Sequence, residues 1–189
     1  MIKNILMIMS CLFLFAGCAS NHMTQVAPNK MTMAPEQGKA LVHFMRPSNF
    51  GGAIQSTVYN DTAYIGTVSA NTRVAYQADP GKHMFMVIGE SADFLEAELL
   101  EGKTYYVLVS PRLGFWKARF SLNPASGKHS QAEIDKWYAE TKEVIVNEKG
   151  LQWAKAHAAD SEKLKSKYLP EWLEKTEERQ QRLEADSGI

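Results

Sequence analysis

The sequence from residue 39 to residue 124 alternates short runs rich in β-branched and aromatic residues with turn signals. The first run, Ala40–Arg46, stops at Pro47, and the turn sequence Asp-Pro-Gly-Lys at residues 79–82 separates two later runs. Such signals recur about every ten residues, which is typical of all-β domains built from short strands. With seven or eight of these runs, the sequence predicts a small antiparallel β-sandwich over residues 39–124, in a chain that is mainly β with some α structure.

One run shows the alternation expected of a half-buried strand. Residues 94–99 read Phe-Leu-Glu-Ala-Glu-Leu, so Glu96 and Glu98 share one strand face and the apolar side chains share the other. Two carboxylates on one face also resemble the acid pair of a glycosidase. A solvated strand face needs the same arrangement, and we expect these glutamates to be surface residues.

A helical pattern replaces the strand pattern after residue 130. Ser130 and Glu133 have the spacing of a capping box, and apolar residues then recur every three or four positions as far as Ile145. We therefore expect a first helix that ends near Gly150, followed by weaker helical stretches. Residues 130–189 are predicted to form a C-terminal α-helical segment, which either caps the sandwich or offers a docking helix to a partner.

The N-terminus has the pattern of a targeting signal. Lys3 supplies a positive charge, and Ile5–Ala16 is a run of twelve mostly apolar residues. Twelve residues in a helix span about 18 Å, too little for a hydrocarbon core of about 30 Å. Residues 1–17 are therefore interpreted as a signal peptide.

The end of this signal, Leu14–Cys18, resembles the lipobox of bacterial lipoproteins. The resemblance implies that Cys18 carries a covalent lipid and starts the mature chain. It also implies an outer-membrane address facing the periplasm, since Ala19 stands where Asp commonly retains such proteins at the inner membrane. Cys11 would leave with the signal, so the mature chain would have no cysteine pair for a disulfide. Residues 18–38, which lack a sustained period, are predicted to form a lipidated flexible tether.

Three segments of the β region together resemble a family of bacterial lipoproteins, the domain of unknown function 2846, and the turn in the second also resembles PEGA-type β modules. These segments are Gly38–Pro47, Asp79–His83 and Glu101–Val107. The similarity covers about 85 residues, Gly38–Leu122. It implies a β-sandwich and an envelope address, and it implies no activity.

The charge balance and the absence of known catalytic motifs from the sequence limit the functions that this chain is expected to have. The 21 basic and 21 acidic side chains balance, which disfavours a general nucleic-acid binder. Hydrolase-elbow, zinc-protease, phosphate-loop and calcium-loop motifs do not occur in the sequence. We therefore predict no catalytic residues, no metal site and no cofactor apart from the lipid on Cys18.

The stretch Arg112–Phe120 interleaves cations with aromatic residues. Such a stretch can stack a sugar or hold an acidic polymer. It also fits a last strand whose aromatic side chains pack in the core and under the C-terminal helix. The candidate binding residues are Arg112, Phe115, Trp116, Lys117 and Arg119.

Together these features favour a non-enzymatic, outer-membrane-anchored periplasmic lipoprotein that binds or scaffolds an envelope component. That component would be a protein partner or a glycan such as peptidoglycan or lipopolysaccharide. Two alternatives stay open: an envelope hydrolase acting on glycan or lipid through unassigned carboxylates, and a structural lipoprotein whose tail self-associates.

Overall fold

The computed structural model describes residues 20–112 and 119–189, and within them the chain forms two mixed β-sheets and three α-helices. The strands are β1 (Met23–Gln25), β2 (Ala40–Arg46), β3 (Ser56–Asn60), β4 (Ala63–Val68), β5 (Thr72–Ala78), β6 (Gly81–Ile88), β7 (Ala92–Leu99), β8 (Thr104–Arg112), β9 (Arg119–Pro124), β10 (Lys142–Val146) and β11 (Arg182–Leu183). The helices are α1 (Gln131–Glu140), α2 (Glu148–Ala156) and α3 (Ala158–Leu173).

Sheet A has the strand order β1-β10-β5-β2-β8-β9, and sheet B the order β11-β7-β6-β3-β4. The predicted mainly β class with α structure is confirmed, but the purely antiparallel arrangement is wrong. Three neighbouring pairs are parallel: β2 with β8, β5 with β10, and β7 with β11. The predicted total of seven or eight strands is also too low, because β1, β10 and β11 come from outside residues 39–124.

The two sheets face each other across one apolar core. Alternate residues of each strand point into it, as the period of two requires. In β7 these are Leu95, Ala97 and Leu99, all buried, whereas Glu96 and Glu98 lie on the outer side, so the predicted alternation is confirmed.

The outer face of each sheet is covered by a helix. On sheet A, Met45, Ala125 and Ile134 form a small cluster beneath α1. On sheet B, a larger cluster joins the sheet to α3 and contains Tyr59, Met86, Ile88, Phe94 and Trp172. The C-terminal segment therefore packs on both sides of the β core.

Residues 130–189 differ from an all-helical segment. The first helix ends at Glu140, not near Gly150, because Thr141 adopts extended backbone angles (φ −110°, ψ 139°). The chain then forms β10, in which Lys142 and Glu143 pair with β5 and the β-branched run Val-Ile-Val pairs with β1. The capping box at Ser130 and Glu133 is present as predicted.

The sequence predicts a flexible tether over residues 18–38. The structure describes residues 20–38 of it, and these pack against the domain. β1 completes the edge of sheet A, and Met23 is buried in the inter-sheet core. Further along, the Thr32 amide donates to Glu143 Oε1 at 2.9 Å. Backbone pairing and apolar burial therefore hold this segment against the domain. No helix among the described residues is both long and apolar enough to cross a bilayer.

Candidate functional site

An open cleft of about 360 Å³ lies between the last turn of α3, the start of β7 and the paired ends of β8 and β9. Its charged lining comes from these elements and from the residues just after α3: Asp93, Arg112, Arg119, Glu171 and Lys175. Arg112 and Arg119 are direct cross-strand partners in the β8–β9 ladder. Like charges placed opposite each other destabilise a β-ladder, so this pair is a local cost to the fold.

Asp93 organises the floor of the cleft. Its carboxylate is only 4% exposed and lies 3.2 Å from Lys175 Nζ and 3.5 Å from Arg112 Nη2. Its second oxygen accepts a 2.7 Å hydrogen bond from Gln181 Nε2. The buried Asp93 carboxylate thus forms ion pairs with two cations, Arg112 of β8 and Lys175 just beyond α3.

Trp172 packs beneath the cleft and helps to position the residues that contact Asp93. It is buried, contacts Phe94 edge-on at 6.2 Å, and donates from Nε1 to Gln181 Oε1 at 2.9 Å. Gln181 therefore bridges Trp172 and Asp93. Because its ring is covered by the protein, Trp172 serves to position Gln181 and has no open face on which a sugar could stack.

The balance of charge among the described residues of the cleft is positive. Three of these lining residues are cations and two carry carboxyl groups, and Asp93 is already engaged with Arg112 and Lys175. The Arg119 side chain is exposed and forms no ion pair with any residue that the structure describes. Arginine presents a planar fork of donors suited to carboxylate or phosphate, so the cleft is chemically suited to an anionic group.

Two of the predicted binding residues, Arg112 and Arg119, are thus brought together. Phe115, Trp116 and Lys117 lie outside the described residues, as does the predicted lipidation site Cys18. Asp93, Gln181 and Lys175 were missed because each sits in an ordinary strand, loop or helix-end pattern, and only tertiary packing unites them.

Other chemically interesting side chains remain apart. His43 lies on the outer face of sheet A against Tyr106 and Tyr138, whereas His83 lies on sheet B beside Asn60. In the described part of the chain, no group of three or more His, Cys, Asp or Glu residues has the arrangement of a metal site.

The comparisons with known proteins show only a distant structural likeness. No family model matches the chain, and no curated protein matches it. Among solved structures, the chain is similar to one described as the NMR structure of a protein from Eubacterium rectale, with 13% sequence identity and a TM-score of 0.31. The match covers 49% of this chain and 94% of that one.

Proposed function

We propose that this protein is a non-enzymatic lipoprotein of the bacterial cell envelope, anchored through Cys18 to the outer membrane and facing the periplasm, which binds an anionic glycan in the Arg112–Arg119 cleft. The observation that carries the binding role is the opposition of these two arginines across the β8–β9 ladder. Asp93 already neutralises Arg112, whereas no described residue forms an ion pair with Arg119. An anionic ligand bound beside Arg119 would relieve the remaining repulsion, which supports a binding role.

The anchor is supported by the resemblance of Leu14–Cys18 to a lipobox and by the apolar run before it. The two face-to-face sheets are compatible with the β-sandwich that the resemblance to the domain of unknown function 2846 implies. Replacing Cys18 by Ser should abolish labelling of the protein by radioactive palmitate in growing cells. Normal labelling of the C18S variant would refute the anchor.

The ligand class follows from charge and shape. The cleft is open to solvent, as binding of a polymer requires, and Asp93 holds two of its cations, Arg112 and Lys175, in place. Peptidoglycan carries carboxylates on its peptide stems at high density, so it is the envelope polymer that we favour. We expect soluble peptidoglycan fragments to bind the mature protein with an affinity that falls as salt rises, because exposed ion pairs are screened.

A neutral chitin oligosaccharide with the same number of sugars as the peptidoglycan fragment is the control. It measures how much of the binding comes from contacts with uncharged sugar rings. Equal binding of the neutral and acidic sugars would contradict an electrostatic site. No binding of either, under conditions in which the protein is folded, would contradict the glycan role and leave a protein partner as the ligand.

A hydrolase is the second candidate, because two carboxyl groups, Asp93 and Glu171, line the same cleft. All described contacts of Asp93 are with donors that it holds in place, namely Lys175, Arg112 and Gln181, which is typical of an orienting carboxylate. Incubation of isolated peptidoglycan with the protein, followed by chromatography of released fragments, separates the two functions. Release that is lost in a Glu171→Gln variant would establish the hydrolase.

A further inference from the structure

The folded domain begins almost at the proposed lipid. Ser20 is only 3% exposed, and its carbonyl accepts a 3.0 Å hydrogen bond from the Met23 amide at the start of β1. Two peptide units separate Cys18 from Ser20, so their Cα atoms lie within about 7 Å of each other. A lipid on Cys18 would therefore enter the bilayer directly beside the folded domain, with no long spacer between them.

The element beside this point is α2. The Asn147 amide donates to the His22 carbonyl, and Asn147 Nδ2 donates to the Asn21 carbonyl, both at 3.1 Å. The rings of His22 and Trp153 stack with centroids 5.2 Å apart. Residues 20–22 and α2 are thus one packed unit, and a membrane that holds the first must lie close to the second.

The outward side of α2 carries a large apolar side chain. Leu151 is 59% exposed, and Lys155, four residues further along the helix, is exposed on the same side. Glu148, the one acidic side chain of α2, is exposed three residues before Leu151. A leucine beside a lysine suits the boundary between acyl chains and anionic phospholipid headgroups.

We propose that the exposed face of α2 around Leu151 and Lys155 rests on the phospholipid bilayer when Cys18 is lipidated. The proposal depends on the anchor in the proposed function and adds the surface that the anchor presses against the membrane. The lipid supplies most of the binding energy, since each buried methylene contributes about 0.8 kcal/mol. The α2 face fixes the orientation.

This orientation carries the cleft away from the bilayer. When the β5–β10 register is extended by three residues, Met23 lies level with Val42 of β2, and Arg112 lies seven residues further along the same direction. That offset is about 23 Å at the rise of a strand, and the four strand spacings from β1 to β8 add about 19 Å sideways. The cleft and the anchor therefore lie at opposite corners of sheet A, roughly 30 Å apart, which directs the cleft toward the periplasmic polymer.

The test uses the lipidated protein in vesicles of phosphatidylethanolamine and phosphatidylglycerol that contain brominated acyl chains. An environment-sensitive fluorophore is attached to L151C, or to F50C as a matched control. Phe50 is similarly exposed, at 56%, and follows β2 at the end of sheet A nearer the cleft. Bromine should quench the probe at position 151 several-fold more strongly than the probe at position 50.

Equal quenching at the two positions, in protein that floats with the vesicles, would overturn the α2 orientation and leave the anchor intact. Protein that neither floats nor shows an acyl mass increase would refute the anchor itself. Flotation and intact mass therefore distinguish failure of the proposed function from failure of this inference.

Discussion

Arg73 and Glu143 form an ion pair inside the protein, with Nη2 and Oε2 3.5 Å apart and side chains that are 2% and 1% exposed. The two residues are register partners of the parallel strands β5 and β10. Arg73 also lies over the Tyr138 ring, 3.8 Å from its centroid, and donates to the carbonyls of Tyr138 and Thr141. The pair therefore fastens the end of α1 and strand β10 to sheet A.

Replacing Glu143 by Leu should destabilise the protein by about 3–5 kcal/mol, because Arg73 would keep its charge in a buried site without a carboxylate. Urea unfolding of the variant measures this loss. The double variant R73M/E143L removes both charges and should recover a substantial part of the stability. A double variant at least as unstable as the sum of the two single ones would show that the charges do not interact.

A second buried group on the same face makes stability depend on pH. Burial, with a smaller contribution from the nearby Arg73 charge, lowers the pKa of His43 from 6.5 to about 3. Between these values the unfolded chain binds a proton that the folded chain does not. The free energy of unfolding should therefore fall as pH falls below 6.5, by up to about 1.4 kcal/mol per pH unit from this group.

His43→Phe is the matched variant, since it keeps an aromatic ring between Tyr106 and Tyr138 without a titrating group. Urea unfolding at pH 7, 6, 5 and 4 gives the pH slope of each protein. Exposed acids such as Asp79 and Glu133, whose pKa values are lowered by hydrogen bonds to Lys39 and Ser130, contribute equally to both. Identical slopes for the two proteins would refute a buried neutral His43.

The sequence predicts those strands of the fold that neighbouring residues define, and it does not predict strands that depend on distant partners. The eight strands β2 to β9 are short runs rich in apolar and β-branched residues, most of them bounded by local turn signals, so their existence follows from neighbouring residues. By contrast, Val144 and Ile145 fit a helical period as well as a strand. Only the space between β1 and β5 makes them a strand, and that space is defined by residues more than sixty positions away.

The candidate site likewise contains some residues that the sequence singles out and others that only the tertiary structure reveals. Arg112 and Arg119 stand out in the sequence because cations and aromatic residues cluster there. Asp93 carries no such signal, since a single aspartate near the start of a strand is unremarkable. Its importance arises when α3 crosses sheet B and brings Lys175 and Gln181 to it, which is a long-range packing event that spacing does not encode.

The arginine pair predicts opposite effects on stability and binding. Arg119→Gln removes the like-charge contact with Arg112, so the free energy of unfolding should stay level or rise by about 0.2–1 kcal/mol. The same change should weaken binding of acidic peptidoglycan fragments about tenfold, as expected for the loss of a charge-assisted contact. Calorimetric titration and urea unfolding of the same preparation measure both quantities.

Lys128→Gln is the control for the loss of one positive charge, because Lys128 is exposed and does not line the cleft. It should leave both quantities nearly unchanged. If R119Q lowered stability and left binding intact, the arginine pair would have a structural role and the cleft would not be the binding site.

Gly150 provides a test of how tightly the N-terminal segment is held. In an exposed helix, Gly→Ala stabilises a protein by up to about 1 kcal/mol. Here a β-carbon on Gly150 would overlap the carbonyl oxygen of His22 and lie 2.9 Å from Val146 Cγ1. G150A should therefore destabilise the protein, because α2 must move away from residues 20–22 and break the Asn147 hydrogen bonds to Asn21 and His22.

Gln152→Ala, on the exposed side of the same helix, should be neutral or slightly stabilising, since it changes helix propensity without touching β1. Hydrogen exchange followed by mass spectrometry provides the local readout, with faster exchange expected over residues 20–26 in G150A and no change in Q152A. If G150A were stabilised like an ordinary helix position, with protection of residues 20–26 unaltered, the N-terminal segment would not be packed against α2. The short connection between the anchor and the folded domain would then be lost as an argument for the orientation of the protein on the membrane.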